Sequence, residues 1–433
     1  MRTSAKVRAR RLALVSMAAL GAVALTACGV ARSGAGGAPA GTASATTTVS
    51  SGAAGSGPGS AAGSGPAGSG SATAGQTGTA SASPPGPTAT GVPAGGPVPA
   101  GFAATSVTFV SADEAFVLGT APCAHAPCTS VVRTLDRGAS WVGLPAPVVP
   151  LGNPYSGTSQ AAVWGIRFAS PDQGFVFGNG LWATTDGGEQ WAVATAPAGT
   201  ITDLEVIDGQ VLALTDACSA QSGCAQTETL ERRALSGGPW SVVTRMADPR
   251  GIATQARVAA VLDDDSVVVT GDGGLTFATH AIPCPDGPAS AGAAVAVTGP
   301  DSLALLCAGS AAMGSAQKTV YVSGDLGASW VKAGTPPFGG DPLGLYGGTG
   351  AHLVVAAASG ASWLYYSPDG GTRWLTAFQR GDGGAGFNDL GFTTASDGVA
   401  VYGPVYAGGN PDAVPGKLLL TSDGGASWTM AAF

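Results

Sequence analysis

Six aspartates pose the first chemical question. Asp136, Asp186, Asp272, Asp325, Asp369 and Asp423 each stand two residues after a Ser or Thr, two before a Gly and five before an aromatic: Trp141, Trp191, Phe277, Trp330, Trp374 and Trp428. A carboxylate can act as a general acid or hold a metal, but this spacing gives it a different task. In a tight turn it accepts hydrogen bonds from otherwise unpaired backbone amides, while the glycine takes backbone angles closed to other residues. The hydroxyl adds a local hydrogen bond, and the aromatic, burying roughly 150 to 250 Å², pins the turn to the core of its own sheet. These aspartates are therefore read as structural, neither catalytic nor metal-binding.

The turns recur at intervals that define repeating units, and a seventh at 235–240 ends on Trp240 without its Asp. Between them run short apolar segments and Gly-rich turns with no long helical periodicity, as in a series of short strands. A shared phrase opens most units, at 107–113, 166–172, 204–208, 295–301 and 390–397. It reads as an innermost strand and the turn after it. Units four and six lack it. One aromatic–Gly turn per four-stranded unit points to a β-propeller, and counting the aromatics gives seven blades, with six or eight left open by the two missing phrases. The fold class is all-β, a seven-bladed β-propeller over 101–433.

The chain ahead of that domain cannot build a core. Arg2, Lys6, Arg8, Arg10 and Arg11 precede an apolar run over 12–27, which is the layout of an export signal and falls short of the roughly 20 residues that a membrane span needs. Cys28 ends that run in a small-residue context resembling the lipobox of bacterial lipoproteins. Residues 1–27 are thus a lipoprotein signal peptide and Cys28 the lipidation site. Two acyl chains, at roughly 0.8 kcal/mol per buried methylene, hold a chain on its membrane. Residues 28–100 form a disordered linker of Gly, Ser, Ala, Thr and Pro, with no charge between Ser33 and Ala112. As a flexible coil, the linker spans roughly 45 to 50 Å.

Without the five signal cations, 14 Lys and Arg face 27 Asp and Glu, a net charge of −13. That disfavours nucleic acid, whose phosphates are bound by Lys and Arg. The expected setting is the extracytoplasmic face of the cell membrane, with the domain as a tethered monomer.

The six turns are similar to the Asp boxes, or BNR repeats, of bacterial neuraminidases, sortilin-type receptors and photosystem II assembly-factor propellers. The resemblance covers 101–433, and the phrase from Phe168 to Gly178 is closest to the assembly-factor branch. It implies a seven-bladed propeller serving as a protein-binding scaffold. Many activities share that scaffold, so the fold alone does not give function. A sialidase-like glycoside hydrolase or carbohydrate-binding propeller is the alternative. Such a hydrolase requires three arginines for the substrate carboxylate, and the family's arginine phrase on the first strand is absent; Arg167 is a poor substitute.

Loops joining strands two and three, and those joining blades, emerge on the face opposite the Asp boxes. Cys123 and Cys128, Cys218 and Cys224, and Cys284 and Cys307 all fall there. Six cysteines in an exported chain predict three disulfides, and sequence closeness favours those three pairs. Zinc is the competing reading, with only His125, His280 and His352 to supplement the thiols. Stapled loops lose less entropy on binding, which makes this face the candidate recognition surface. Asn153 and Tyr155, and Tyr406 and Asn410, lie on two long insertions there, as contact residues on loops often do. Arg167 and Glu205 occupy matching positions on innermost strands and are candidates to face the central channel, for a ligand or simply as a solvated pair. Asp263, Asp264 and Asp265 read as a hairpin turn sooner than a calcium site. No motif implies a cofactor or metal. The expected role is non-enzymatic, with a cell-envelope protein or glycan as partner.

Overall fold

The computed structural model describes residues 95–152, 161–217, 228–284, 292–403 and 416–433. All belong to the second of two units, Pro84–Phe433; the first, Met1–Ser83, lies outside the described residues. The described chain forms seven four-stranded antiparallel sheets, each built from strands consecutive in sequence. These are the seven expected blades: 103–144, 163–193, 200–246, 249–281, 294–334, 341–380 and 387–430.

Blades four and six, which lack the opening phrase, still have innermost strands, Pro249–Gln255 and Asp341–Gly347. Second strands are mostly apolar, as in Leu353–Ala358, because both faces of a blade are covered by neighbours. Outermost strands such as Ala192–Val193 and Thr429–Met430 are exposed.

The core is a ring of seven clusters, each shared by two successive blades. The turn aromatics join these clusters in an unexpected way. Trp191 packs with residues of blades 1 and 2, Trp330 with blades 4 and 5, and Trp428 with blades 6 and 7. Each aromatic therefore wedges its blade against the preceding one. The expected pin to the turn's own blade is thus joined by a second contact, to the preceding blade. Trp191 and Trp428 also touch their own innermost strands, at Phe168 and Phe392, with ring centroids 6.1 and 6.3 Å apart.

No strand is exchanged between the first and last sheets among the described residues, so side chains and chain ends close the ring. Phe102, Val107, Val399, Val401 and Leu418 form the blade 7–blade 1 cluster. Phe433 packs on Phe102 and Trp141, with ring centroids 4.9 and 5.1 Å apart. Gly96 exchanges two 2.8 Å backbone hydrogen bonds with Gly143, extending the edge of blade 1.

Candidate binding site

The Asp boxes share one geometry. The Thr134 hydroxyl donates to Asp136 Oδ1 (2.8 Å) and accepts from the Gly138 amide (2.9 Å), while the Ser140 amide and hydroxyl donate to the Asp136 carboxylate. Thr184, Thr270, Ser323, Ser367 and Thr421 repeat the donation to their own Asp. Hydrogen bonds from Ser329 hold Asp325 down to about 2, and those from Thr276 hold Asp272 lower still. Carboxylates so stabilised in the ionised form are poor proton donors or acceptors near neutrality. The residue after the Asp donates its amide to the turn that follows the innermost strand, as Arg137 does to Asp113 and Leu326 to Asp301, placing those turns and the boxes on one face.

The charged side chains that converge among the described residues do so in the central channel. Arg167 Nε donates to Glu205 at 2.6 Å, and its Nη2 to Asp389 Oδ1 at 2.7 Å; the three side chains retain 15, 17 and 18% exposure. Asp389 Oδ2 also accepts the Ser106 hydroxyl at 2.5 Å and the Val107 amide at 2.7 Å. Ser106 Oγ in turn accepts the Ile166 amide at 3.1 Å, and Asp203 accepts the Ile252 amide at 2.8 Å. Blades 7, 1, 2, 3 and 4 are thus tied at their innermost strands. Burial pushes the Arg167 guanidinium down, but Asp389 and Glu205 outweigh it and hold it well above its ordinary value. Burial, aided by Asp203 and opposed by Arg167, pushes Glu205 up to about 7. Asp203 and Tyr346 are raised chiefly by burial too.

Three carboxylates around one guanidinium do not form a carboxylate-binding arginine cluster. Arg133 and Arg233 are buried elsewhere, Arg233 against Trp240 (4.8 Å) and Phe175 (5.6 Å). Arg137 and Arg373 sit in box turns. No group of three or more His, Cys, Asp or Glu converges as a metal site among the described residues. Asp263 to Asp265 form the expected hairpin turn, with Asp263 Oδ1 accepting the Ala247 and Asp248 amides.

On the opposite face, Cys123 pairs with Cys128 and Cys284 with Cys307. Cys28, Cys218, Cys224, Asn153, Tyr155, Tyr406 and Asn410 lie outside the described residues. Sequence reasoning missed a second device here. Lys318 is fully buried, and its ammonium donates to the carbonyls of Ala316, Pro337, Phe338, Gly339 and Gly340 at 2.7 to 3.1 Å. Burial pushes it down to about 8, with Asp341 opposing. Five acceptors and no donor nonetheless fit only the protonated amine. The lysine fixes a loop that leaves Phe338 53% exposed.

Asp389 and Asp203 were missed as well, although a signal existed. Extending the opening phrase one residue toward the N terminus aligns Ser106, Gly165, Asp203 and Asp389. The innermost strands of six blades carry a register shift near this position. A bulge re-aims side chains, here into the channel.

No protein-family model and no curated protein matches this chain. Solved structures do. One described as YCF48 bound to D1 peptide aligns with TM-score 0.50 at 16% identity, covering 76% of this chain and 95% of that one. YCF48 from Cyanidioschyzon merolae aligns with TM-score 0.49 at 14% identity, over 76% and 97%. A Niastella koreensis GH74 enzyme reaches a TM-score of only 0.29 at 12% identity, over 76% and 71%. At such identities the likeness is one of fold.

Proposed function

We propose that this chain is an exported lipoprotein, anchored through Cys28, whose propeller binds a protein of the cell envelope as a non-enzymatic scaffold. One observation carries the reading. The converging charged groups, Arg167, Asp389, Glu205 and Asp203, are spent on one another and on neighbouring backbone, so among the described residues they hold the ring together and leave no paired acid and base facing a substrate. Contact then falls to the loops of the two faces. The YCF48 propeller, described in complex with a peptide, is an example of this fold holding a protein segment. The signal, the Cys28 context and the uncharged linker support export and tethering.

The test is crosslinked capture from the native envelope with the full chain, followed by mass spectrometry, beside fractionation of Cys28→Ala. One envelope protein recovered in proportion to bait, and release of the variant from membranes, are the expected results. Recovery of glycan alone would overturn the protein-scaffold reading, and membrane retention of Cys28→Ala would overturn the anchor.

A further inference from the structure

Four of the six boxes place glycine after their aspartate, Gly187, Gly273, Gly370 and Gly424, with φ between 69 and 78°, within the left-handed region. The other two place Arg137 (φ 62°) and Leu326 (φ 55°) there, a conformation that costs a side-chain-bearing residue what it does not cost glycine. Packing accounts for Leu326, which joins the blade 4–blade 5 cluster and lies against Gly271. Arg137 has no such return. Its side chain is 60% exposed, and its one salt bridge, Nε to Asp113 at 2.6 Å, is to a carboxylate that is itself 63% exposed. Exposed pairs of that kind contribute little. Strain retained without a packing reason points toward function.

Arg137 lines a cavity of about 320 Å³ between blades 7 and 1 on the Asp-box face, with Phe109, Ala112, Thr393, Asp397 and Leu420. That volume is at the low end of ligand pockets. Neither Nη of Arg137 has a hydrogen-bond partner among the described residues, so both are free to donate. Asp397 is the other charged residue lining the groove, and Asp113 and Asp423 adjoin it, the latter accepting from the groove's own Thr421 and Ser427, so carboxylates outnumber the one arginine. An anionic ligand is therefore repelled by the carboxylates, while the unpartnered Nη groups require an acceptor, which a neutral carbonyl supplies. Several of the groove's hydroxyls are already engaged, those of Thr421 and Ser427 with Asp423 and that of Thr429 with the Leu420 carbonyl. A glycan, polar on all sides, would find few partners. An extended peptide offers backbone carbonyls alternating with side chains and matches a wall that is polar at Arg137 and apolar at Phe109 and Leu420.

We propose that this groove binds an extended, non-acidic peptide segment of the partner, with Arg137 donating to its backbone carbonyls and Phe109 and Leu420 receiving an apolar side chain. The assignment rests on the protein-binding reading above. A phage-displayed random peptide library panned on the full chain supplies the probe, and the enriched peptides, made synthetically, are titrated against wild type and Arg137→Gly. The variant restores the glycine of the other boxes, so its fold and melting temperature are expected to persist while peptide affinity falls at least tenfold. Equal binding by both proteins would place the peptide elsewhere and overturn this site, leaving the scaffold reading intact. Failure to enrich any peptide, or Arg137-dependent retention of oligosaccharides on a glycan array, would also overturn it. If envelope capture failed as well, the scaffold reading would fall with it.

Discussion

Replacing Asp389 with Ala should open the ring at the blade 7–blade 1 junction. The carboxylate makes four contacts across blades: to Ser106 Oγ, to the Val107 amide, and to both Nη atoms of Arg167 at 2.7 and 3.1 Å. Breaking a buried ion pair by removing one partner costs about 3 to 5 kcal/mol. The channel retains some water access, 15 to 18% at these side chains, which argues for the low end. Asp389 also has φ 48°, and Ala tolerates that region less well than Asp, which returns part of the discount. The expected loss is about 3 kcal/mol, or about 5 °C in melting temperature for a domain of this size. Asp389→Asn, which keeps an acceptor for Ser106 and Val107 but not the charge, should lose about half as much. Chemical denaturation gives the energies, and hydrogen exchange locates the damage, with protection lost first at the amides of Val107 and Ile166. A wild-type midpoint for Asp389→Ala, with the Val107 amide still protected, would refute the clasp.

Three further outcomes follow from the same geometry. Glu205 has a folded pKa of about 7, above its unfolded value, so the stability it contributes is full below about pH 4.5 and is lost as pH rises through 7; Glu205→Gln should flatten the decline between pH 5 and 8 in denaturant midpoints, and an unchanged slope would contradict this. Lys318→Met should lower stability by about 2 kcal/mol, the scale of hydrogen bonds to a charged group, and admit proteolysis near Phe338; an uncut, equally stable variant would count against the carbonyl cage. Leu326→Gly should destabilise by about 1 kcal/mol, because lost packing exceeds the backbone strain relieved, whereas Arg137→Gly should not destabilise; equal effects in thermal melts would remove the contrast between the two positions.

The blade count was legible because each box carries its own local chemistry: Ser or Thr, Asp, Gly and the aromatic satisfy one another within eight residues. Blades four and six were harder, since their innermost strands need only a bulge and a few apolar contacts, which Ile252 and Leu345 supply without the phrase. The Arg167–Glu205 pairing was foreshadowed by matching positions on neighbouring units. Asp389 was not, because it meets Arg167 across 222 residues of chain and only ring closure brings them together. Lys318 reads in sequence as a solvent-facing strand residue. Its burial depends on 337–340 folding over it, a tertiary effect that no local pattern signals. The boxes showed where the aromatics are, but their packing against the preceding blade follows from the stacking of blades around the ring.

The most direct test of the scaffold claim is to incubate the full chain with solubilised native envelope and follow both complex formation, by size-exclusion chromatography with light scattering, and the masses of everything retained. The account predicts a stoichiometric complex with one envelope protein whose mass is unchanged after incubation. Absence of any complex, or a time-dependent change in the mass of a bound protein or glycan, would contradict it.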